Sequence, residues 1–284
     1  MIFRTRFAPS PTGPLHLGHA YSAIYGHDRA VQEGGEFLLR IEDIDPTRCR
    51  PEYEQQIFDD LTWLGLDWTR PVMRQSERLQ VYADVLDTLW ADGLLYACDC
   101  SRKQIQNALA TEVTPPKIGP DGPIYPGTCR AKPRPRRRPT GVNLRLDTIR
   151  FVEHMDLTGQ YFIEKQPGQP DKRYGVAFIL AQETIGDIVL SRADMGTSYH
   201  LSVVLDDADQ GITHVIRGKD LFNATWIHVI LQKFMGLPTP SYEHHRLITD
   251  DAGKRLAKRC DARAIAKYRA EGVTPAEIRQ MVQL

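Results

Sequence analysis

Two histidines bracket a short helical opening, His16-Leu17-Gly18-His19, directly after a turn rich in Pro9, Pro11, Gly13 and Pro14. Imidazoles at such a position can donate to phosphate oxygens, and donors held where charge develops supply a large part of catalysis. Gly18 puts no side chain between the backbone and a ligand, so a purine or phosphate chain can approach the first helical turn. A carboxylate cluster follows at Glu42, Asp43 and Asp45. Further on, Cys98-x-Cys100 and Cys129 form a zinc nucleus by residue type, since soft thiolates favour Zn²⁺ and structural sites take four ligands. Arg217 ends an apolar run, and its planar fork matches a carboxylate bidentately in a way lysine does not. The one dense basic run spans Lys132 to Pro139, and a run of this kind can track a nucleic-acid backbone.

The elements that must carry these groups can be traced along the chain. Ile2, Phe3 and Phe7 mark an extended apolar opening, Ala20 to Gln32 continues as a helix, and Gly34-Gly35 ends it. Glu36 to Ile41 then reads as a strand. Strand, helix and strand in this order predict a right-handed parallel βαβ unit with the histidines at the helix N-terminus and the carboxylates at the strand's C-terminal end, where open α/β sheets bind ligands.

Two amphipathic helices are expected over Pro51–Leu64 and Ser76–Asp92, facing the core through Ile57, Leu61 and Leu64 and through Leu79, Tyr82, Val85, Leu86 and Leu89. Composition changes at Leu94. Ser101 and Gln104 form a capping box, and a Pro/Gly-rich excursion runs from Thr114 to Gly127. Val142–Leu146 and Gln160–Glu164 read as short strands of an inserted module. Val176–Leu180 and Asp187–Leu190 lead back toward the sheet. Ile212 to Asp220 is a buried strand with a charged, Gly-containing end. Asn223–Gly236 is a helix, and Thr274-Pro275-Ala276-Glu277 opens a terminal one.

The chain has 284 residues, of which 42% are hydrophobic and 25% charged, as in ordinary globular proteins. Lys+Arg and Asp+Glu both number 36, so a nucleic-acid partner needs a local basic face. No apolar run is long enough to span a membrane, and no secretory signal is evident, so a cytoplasmic protein is expected. Five cysteines without such a signal argue for reduced thiols or a metal site over disulfides.

The stretch Arg6-Phe7-Ala8-Pro9-Ser10-Pro11-Thr12-Gly13 leading to His16 and His19 resembles the first signature of the class I aminoacyl-tRNA synthetases, in the form used by the glutamyl and glutaminyl branch. Arg40-Ile41-Glu42-Asp43 and Gly211-Ile212-Thr213-His214-Val215-Ile216-Arg217-Gly218 resemble later landmarks of the same branch. The resemblance implies a Rossmann-type α/β catalytic domain with an inserted zinc-containing module and a small helical C-terminal segment. Its implied divisions are residues 1–97 and 186–245 for the two Rossmann halves, 98–185 for the insertion, and 246–284 for a signature loop and terminal helices.

It further implies that glutamate is held by Arg6, Phe7, Ala8, Pro9, Ser10, Glu42, Tyr199 and Arg217. ATP with Mg²⁺ would be held by His16, Gly18, His19 and Lys258, with His16, His19 and Lys258 stabilising charge. Zinc would be held by Cys98, Cys100, Cys129 and Tyr125, the last matching a Tyr-x-x-x-Cys spacing of some members; His154 and Asp99 are the alternatives for the fourth ligand. Arg255-Leu256-Ala257-Lys258-Arg259 aligns with the second signature, with Ala257 replacing a serine. The lost hydroxyl removes one hydrogen bond, about 0.5–1.5 kcal/mol, which slows activation without abolishing it.

The chain stops about 25 residues past that signature, which leaves no room for an anticodon-reading domain. The chain therefore looks like the glutamyl-queuosine tRNA(Asp) synthetase family, whose members activate glutamate without tRNA and pass it to queuosine in the anticodon loop. The expected partners are L-glutamate, ATP and queuosine-bearing tRNA(Asp), with no membrane and a monomeric chain. The competing readings are a truncated glutamyl-tRNA synthetase acting on an acceptor end and a non-catalytic tRNA-binding paralogue, the latter suggested by Ala257.

Overall fold

A computed structural model describes residues 2–111, 115–153, 160–175, 184–249 and 263–284. The apolar opening forms β1 (Arg4–Phe7), followed by α1 (Leu17–Gln32) and β2 (Glu36–Ile41), and β2 runs parallel to β1 with Phe7 opposite Leu39. The expected βαβ unit is therefore present. α1 presents a narrow face of small residues, Ala20, Ala23, Gly26 and Ala30 around Ile24, which lets it lie close on the sheet. Gly34, at φ +60°, turns the chain out of the helix, and a Cβ on Gly35 would run into the Phe3 carbonyl.

α2 (Pro51–Trp63) starts with Pro at its first position and Glu52 and Glu54 in its first turn, and it buries Ile57 and Leu61. β3 (Thr69–Arg74) then pairs parallel with β2 at the sheet edge. This strand has no signal in the sequence, because Pro71 and exposed polar residues occupy it, which only an edge position tolerates. α3 (Leu79–Ala91) follows a short 3₁₀ turn over Gln75–Arg78. Tyr82, Leu86 and Leu89 are buried as expected. Leu79, at the junction of the two helices, is 45% exposed, because the change of helix type rotates it off the apolar face.

The middle of the chain builds a separate antiparallel sheet. β4 (Leu95–Cys98) leads to α4 (Arg102–Ala110), capped by Ser101 and Gln104. β5 (Ile118–Gly119) and β6 (Gly122–Pro123) form a minimal hairpin in the Pro/Gly-rich stretch. β7 (Asn143–Leu146) pairs with β4, and α5 (Thr148–Glu153) follows it. β8 (Tyr161–Glu164) and β9 (Lys172–Gly175) form a hairpin, and β10 (Val189–Ser191) returns to the far side of β7. Of the expected return strands, Val176–Leu180 lies outside the described residues.

α6 (Tyr199–Asp209) is capped by Ser198. It is followed by β11 (His214–Gly218), α7 (Ala224–Phe234) and β12 (Ser241–His245), with β12 parallel to β11. β11 lies beside β1: the Thr213 amide donates to the Arg4 carbonyl at 3.0 Å, and the Arg4 amide donates to the Thr213 hydroxyl at 2.8 Å. The two parallel sheets β3-β2-β1 and β11-β12 thus meet edge to edge where β11 lies beside β1, and the strand order reverses there. β8 adds to the β12 side through Tyr242 and Glu164, so this hairpin joins the main sheet although it was expected within the insertion.

One apolar cluster joins Leu86, Leu95, Leu144 and Phe151 to Leu201, Val204, Ile227 and Ile230, so the middle sheet shares its core with the second half. A second cluster packs α1 and α2 on β1 and β2. It also buries Ile265 of α8 (Ile265–Ala270) and Ile278 of α9 (Pro275–Met281), which pins the C-terminal helices to the first half. Each such fully buried aliphatic side chain contributes about 1.5–3 kcal/mol.

Candidate active site

Open α/β sheets bind ligands at the carboxyl ends of the strands where the strand order reverses. Here that point lies beyond Phe7 and Gly218. A cavity of about 440 Å³ opens there, lined by Arg6, Phe7, Ala8, Pro9, Ser10, His16, Gly18, His19, Glu42, Tyr199 and Arg217. Every residue expected to meet glutamate or ATP is in this list except Lys258, which lies outside the described residues, as do Arg255, Ala257 and Arg259.

The two signature histidines cap α1. The Gly18 amide donates to His16 Nδ1 at 3.1 Å, and the His16 amide donates to His19 Nδ1 at 3.2 Å. With both Nδ1 atoms accepting, the ring proton of each neutral imidazole sits on Nε2. The rings lie 3.8 Å apart, and a Cβ at position 18 would meet the His16 ring at 3.0 Å. A side chain here would therefore push on the capping His16 ring as well as narrow the ligand's approach.

Arg6 and Glu42 are held by partners that sequence reasoning missed. Arg6 donates through Nε and Nη2 to the two carboxylate oxygens of Asp207, at 2.9 and 3.3 Å. Arg40, with no exposed surface, donates to Asp207 at 2.6 Å and to Glu42 at 3.1 Å. Burial pushes the Asp207 carboxyl up, but Arg6 and Arg40 overcome it and hold it below the ordinary range. Burial also pushes Glu42 up, and there Arg40 and Arg6 only partly offset it. The available signal was Arg40 itself, a charged residue inside the otherwise apolar strand Phe37–Ile41.

Arg217 is arranged differently. Its Nε donates to His244 Nε2 at 3.2 Å, and Nη1 donates to His228 Nδ1 at 3.1 Å and to the Tyr199 hydroxyl at 3.5 Å. Nη2 donates to the Leu221 carbonyl and to Thr225 Oγ1 at 2.8 Å. His228 is held well below the usual histidine value by burial and by the adjacent Arg217. Burial likewise lowers His244, against its bond to Glu164. All the acceptors are neutral, and among the described residues no carboxylate pairs with this buried guanidinium.

Residues 2–284 match the model of the family described as tRNA synthetases class I (E and Q), catalytic domain. A glutamyl-Q tRNA(Asp) synthetase of Rhodobacter capsulatus is 54% identical over 284 residues, covering 99% of each chain. The chain belongs to this class I family, on the glutamyl-Q tRNA(Asp) synthetase branch. It is accordingly a ligase. A second relative of the same name, from Symbiobacterium thermophilum, is 39% identical over 95% of this chain and 82% of its own length. A crystal structure of a glutamate tRNA ligase from Elizabethkingia meningosepticum, in complex with its amino acid, superposes with a TM-score of 0.71 at 25% identity. The match covers 99% of this synthetase-family chain but only 60% of that ligase.

The cysteines of this family member converge. Tyr125 Oη lies 3.4 Å from Cys98 Sγ and 3.5 Å from Cys100 Sγ, and it accepts from the Cys129 amide at 3.0 Å. Cys100 and Cys129 sulfurs are 3.3 Å apart, and the three thiols lie within 4.8 Å of one another. With Zn–S near 2.3 Å and Zn–O near 2.0 Å, a tetrahedron has S···O edges of about 3.5 Å, so the donor set fits the ion. Asp99 is 3.5 Å from Cys129 Sγ but pairs with Lys132 at 2.6 Å. His154 lies outside the described residues.

A larger cavity of about 700 Å³ shares Ser10, Thr12, Glu42 and Tyr199 with the first and extends to Tyr125, Arg145, Arg192 and Asp121. Much of the basic run is committed elsewhere. Arg134 stacks 4.8 Å over Trp90, and Arg138 pairs with Asp87 at 2.6 Å. Arg136 and Arg137 are exposed. Among the described residues no helix is long and apolar enough to cross a membrane.

Proposed function

We propose that the chain activates L-glutamate with ATP, without tRNA, and transfers it to the queuosine base in the anticodon of tRNA(Asp). The reading rests foremost on Arg217, a buried cation with only neutral acceptors at the sheet's switch point. A buried charge is tolerated when a ligand or partner compensates it. Glutamate brings two carboxylates, for Arg6 and Arg217, and an ammonium group, for Glu42.

In the first step an α-carboxylate oxygen of glutamate attacks the α-phosphorus of ATP. The bond to pyrophosphate breaks and glutamyl-adenylate forms. Phe7, Ala8, Pro9 and Ser10 shape the wall beside the reacting group, and Gly18 keeps the helix end open to the nucleotide. His16 and His19 offer their Nε2–H groups to phosphate oxygens, fixed in advance by the cap. Lys258 keeps the role its signature implies, charge on the triphosphate. Mg²⁺ arriving with ATP would neutralise further phosphate charge. In the second step a hydroxyl of the queuosine cyclopentene ring attacks the acyl carbon, loses its proton, and AMP departs. The larger cavity, contiguous with the glutamate pocket through Tyr199 and Glu42, is the route for that base.

Names of relatives support the queuosine acceptor. Zinc held by Cys98, Cys100, Tyr125 and Cys129 would tie the middle module to its base, with the module taken as residues 98–185 between catalytic halves 1–97 and 186–245 and a terminal segment 246–284. The protein would act as a cytoplasmic monomer.

The test is transfer of labelled glutamate to tRNA(Asp). Label should reach queuosine-bearing tRNA(Asp) and be lost after periodate oxidation of the queuosine diol. Equal labelling of unmodified or oxidised tRNA would instead favour an acceptor-end ligase. Absence of glutamate-dependent pyrophosphate exchange would favour a non-catalytic binder.

A further inference from the structure

Arg217 does not stand alone behind the glutamate pocket. Its Nη1 reaches His228 Nδ1 at 3.1 Å, His228 Nε2 reaches His200 Nδ1 at 3.1 Å, and His200 Nε2 lies 3.0 Å from both carboxylate oxygens of Asp121. Donor and acceptor roles along this line are forced from one end. A guanidinium can only donate, so His228 Nδ1 must accept. His228 is buried and neutral, so its single ring proton is on Nε2 and is given to His200 Nδ1. His200 must then carry its proton on Nε2, and Asp121 receives it. Every bond in the line points the same way, from Arg217 out to Asp121.

We propose that Asp121 is a positioning residue for glutamate binding, acting through the tautomers of His200 and His228 on the orientation of Arg217. Asp121 sits on the β5–β6 turn, on the wall of the larger cavity, whereas Arg217 lies near the C-terminal end of β11. The line therefore ties the middle module to the glutamate pocket by hydrogen bonds. Without Asp121, His200 is free to place its proton on Nδ1. His228 must then turn Nε2 into an acceptor, and its Nδ1 acquires a proton aimed at Arg217. That arrangement sets two donors against each other in a buried site, and Arg217 has to move. The neutral character of all Arg217 acceptors makes this matter, because no fixed carboxylate would hold the guanidinium in place.

The proposal rests on reading Arg217 as a glutamate contact, and the experiment separates the two. Glutamate-dependent ATP–pyrophosphate exchange is measured for the wild type, Asp121→Ala, Asp121→Asn and Arg217→Ala. Asp121→Ala should raise KM for glutamate about three- to tenfold, the scale of one hydrogen bond, and leave KM for ATP unchanged. Asp121→Asn retains an oxygen to accept from His200 and should recover most of the loss. The ¹⁵N shifts of His200 and His228 should report Nε2–H tautomers in the wild type and a mixture in Asp121→Ala. Unchanged glutamate KM and tautomers in Asp121→Ala, a parallel rise in both KM values, or no rescue by Asn would each overturn the relay. If Arg217→Ala itself left glutamate KM unchanged, the glutamate-site reading would fall, and the relay with it.

Discussion

Asp207→Asn isolates the buried charge network that supports the pocket. Asp207 accepts from Arg6 at 2.9 and 3.3 Å and from Arg40 at 2.6 Å, with both arginines nearly inaccessible. Asparagine keeps the shape and one acceptor but removes the charge, leaving Glu42 at 3.1 Å and Asp206 at 4.0 Å as the remaining carboxylates of Arg40. Breaking one side of a buried ion pair costs about 3–5 kcal/mol, and the retained acceptor places this change near the lower end, about 3 kcal/mol. In a chain of 284 residues that is roughly a 5 °C fall in melting temperature.

The pH dependence has a definite sign. Asp207 is held below its ordinary value in the folded state. Its stabilisation is therefore fully present above the unfolded carboxyl range and disappears as pH falls through the folded value, so the gap between variant and wild type should be flat from pH 7 to 5 and close only below about pH 4. Urea unfolding at several pH values measures this, and exchange kinetics should show a raised KM for glutamate as Arg6 loosens. A gap under about 1 kcal/mol at pH 7, or one already closing at pH 6, would refute the reasoning.

Asp60 should behave oppositely. It is buried on α2 with neither carboxylate oxygen hydrogen-bonded, and burial raises its pKa to about 6 despite Arg269 at 3.7 Å. Its contribution is most favourable below pH 4 and is lost as pH rises through 6, so Asp60→Asn should stabilise the protein by roughly 2–3 kcal/mol at pH 8 and be neutral near pH 4. A less stable variant at pH 8 in urea titrations would contradict this. For the metal, atomic-absorption measurements should find about one zinc per wild-type chain and a marked loss in Cys98→Ser, with Tyr125→Phe retaining zinc less tightly because water can take the fourth position. Near-zero zinc in both wild type and Cys98→Ser would count against the site.

Local signals carried much of the molecule. The Pro/Gly turn, the histidine cap and Gly34-Gly35 declare β1, α1 and β2 because turn chemistry and capping act over a few residues. The cap residues Ser101 and Thr274 declare α4 and α9 for the same reason. β3 stayed hidden, since an exposed edge strand interrupted by Pro71 has neither alternation nor an apolar run. Leu79 was misplaced because nothing local signals the 3₁₀ junction before α3. β8 could be read as a strand but not assigned to a sheet, and its partner β9, short and polar, carried no signal of its own.

By itself the sequence nominated Arg6, His16, His19, Glu42, Tyr199, Arg217 and the three cysteines, through short motifs that resemble those of the family. Only the tertiary structure decided how they are held. Asp207 lies 201 positions from Arg6, and Arg40 lies 167 positions from Asp207. Asp121, His200 and His228 reach Arg217 from three separate elements. A buried charge is defined by whatever surrounds it in space, and those partners come from strands and helices that meet only once the sheet has closed.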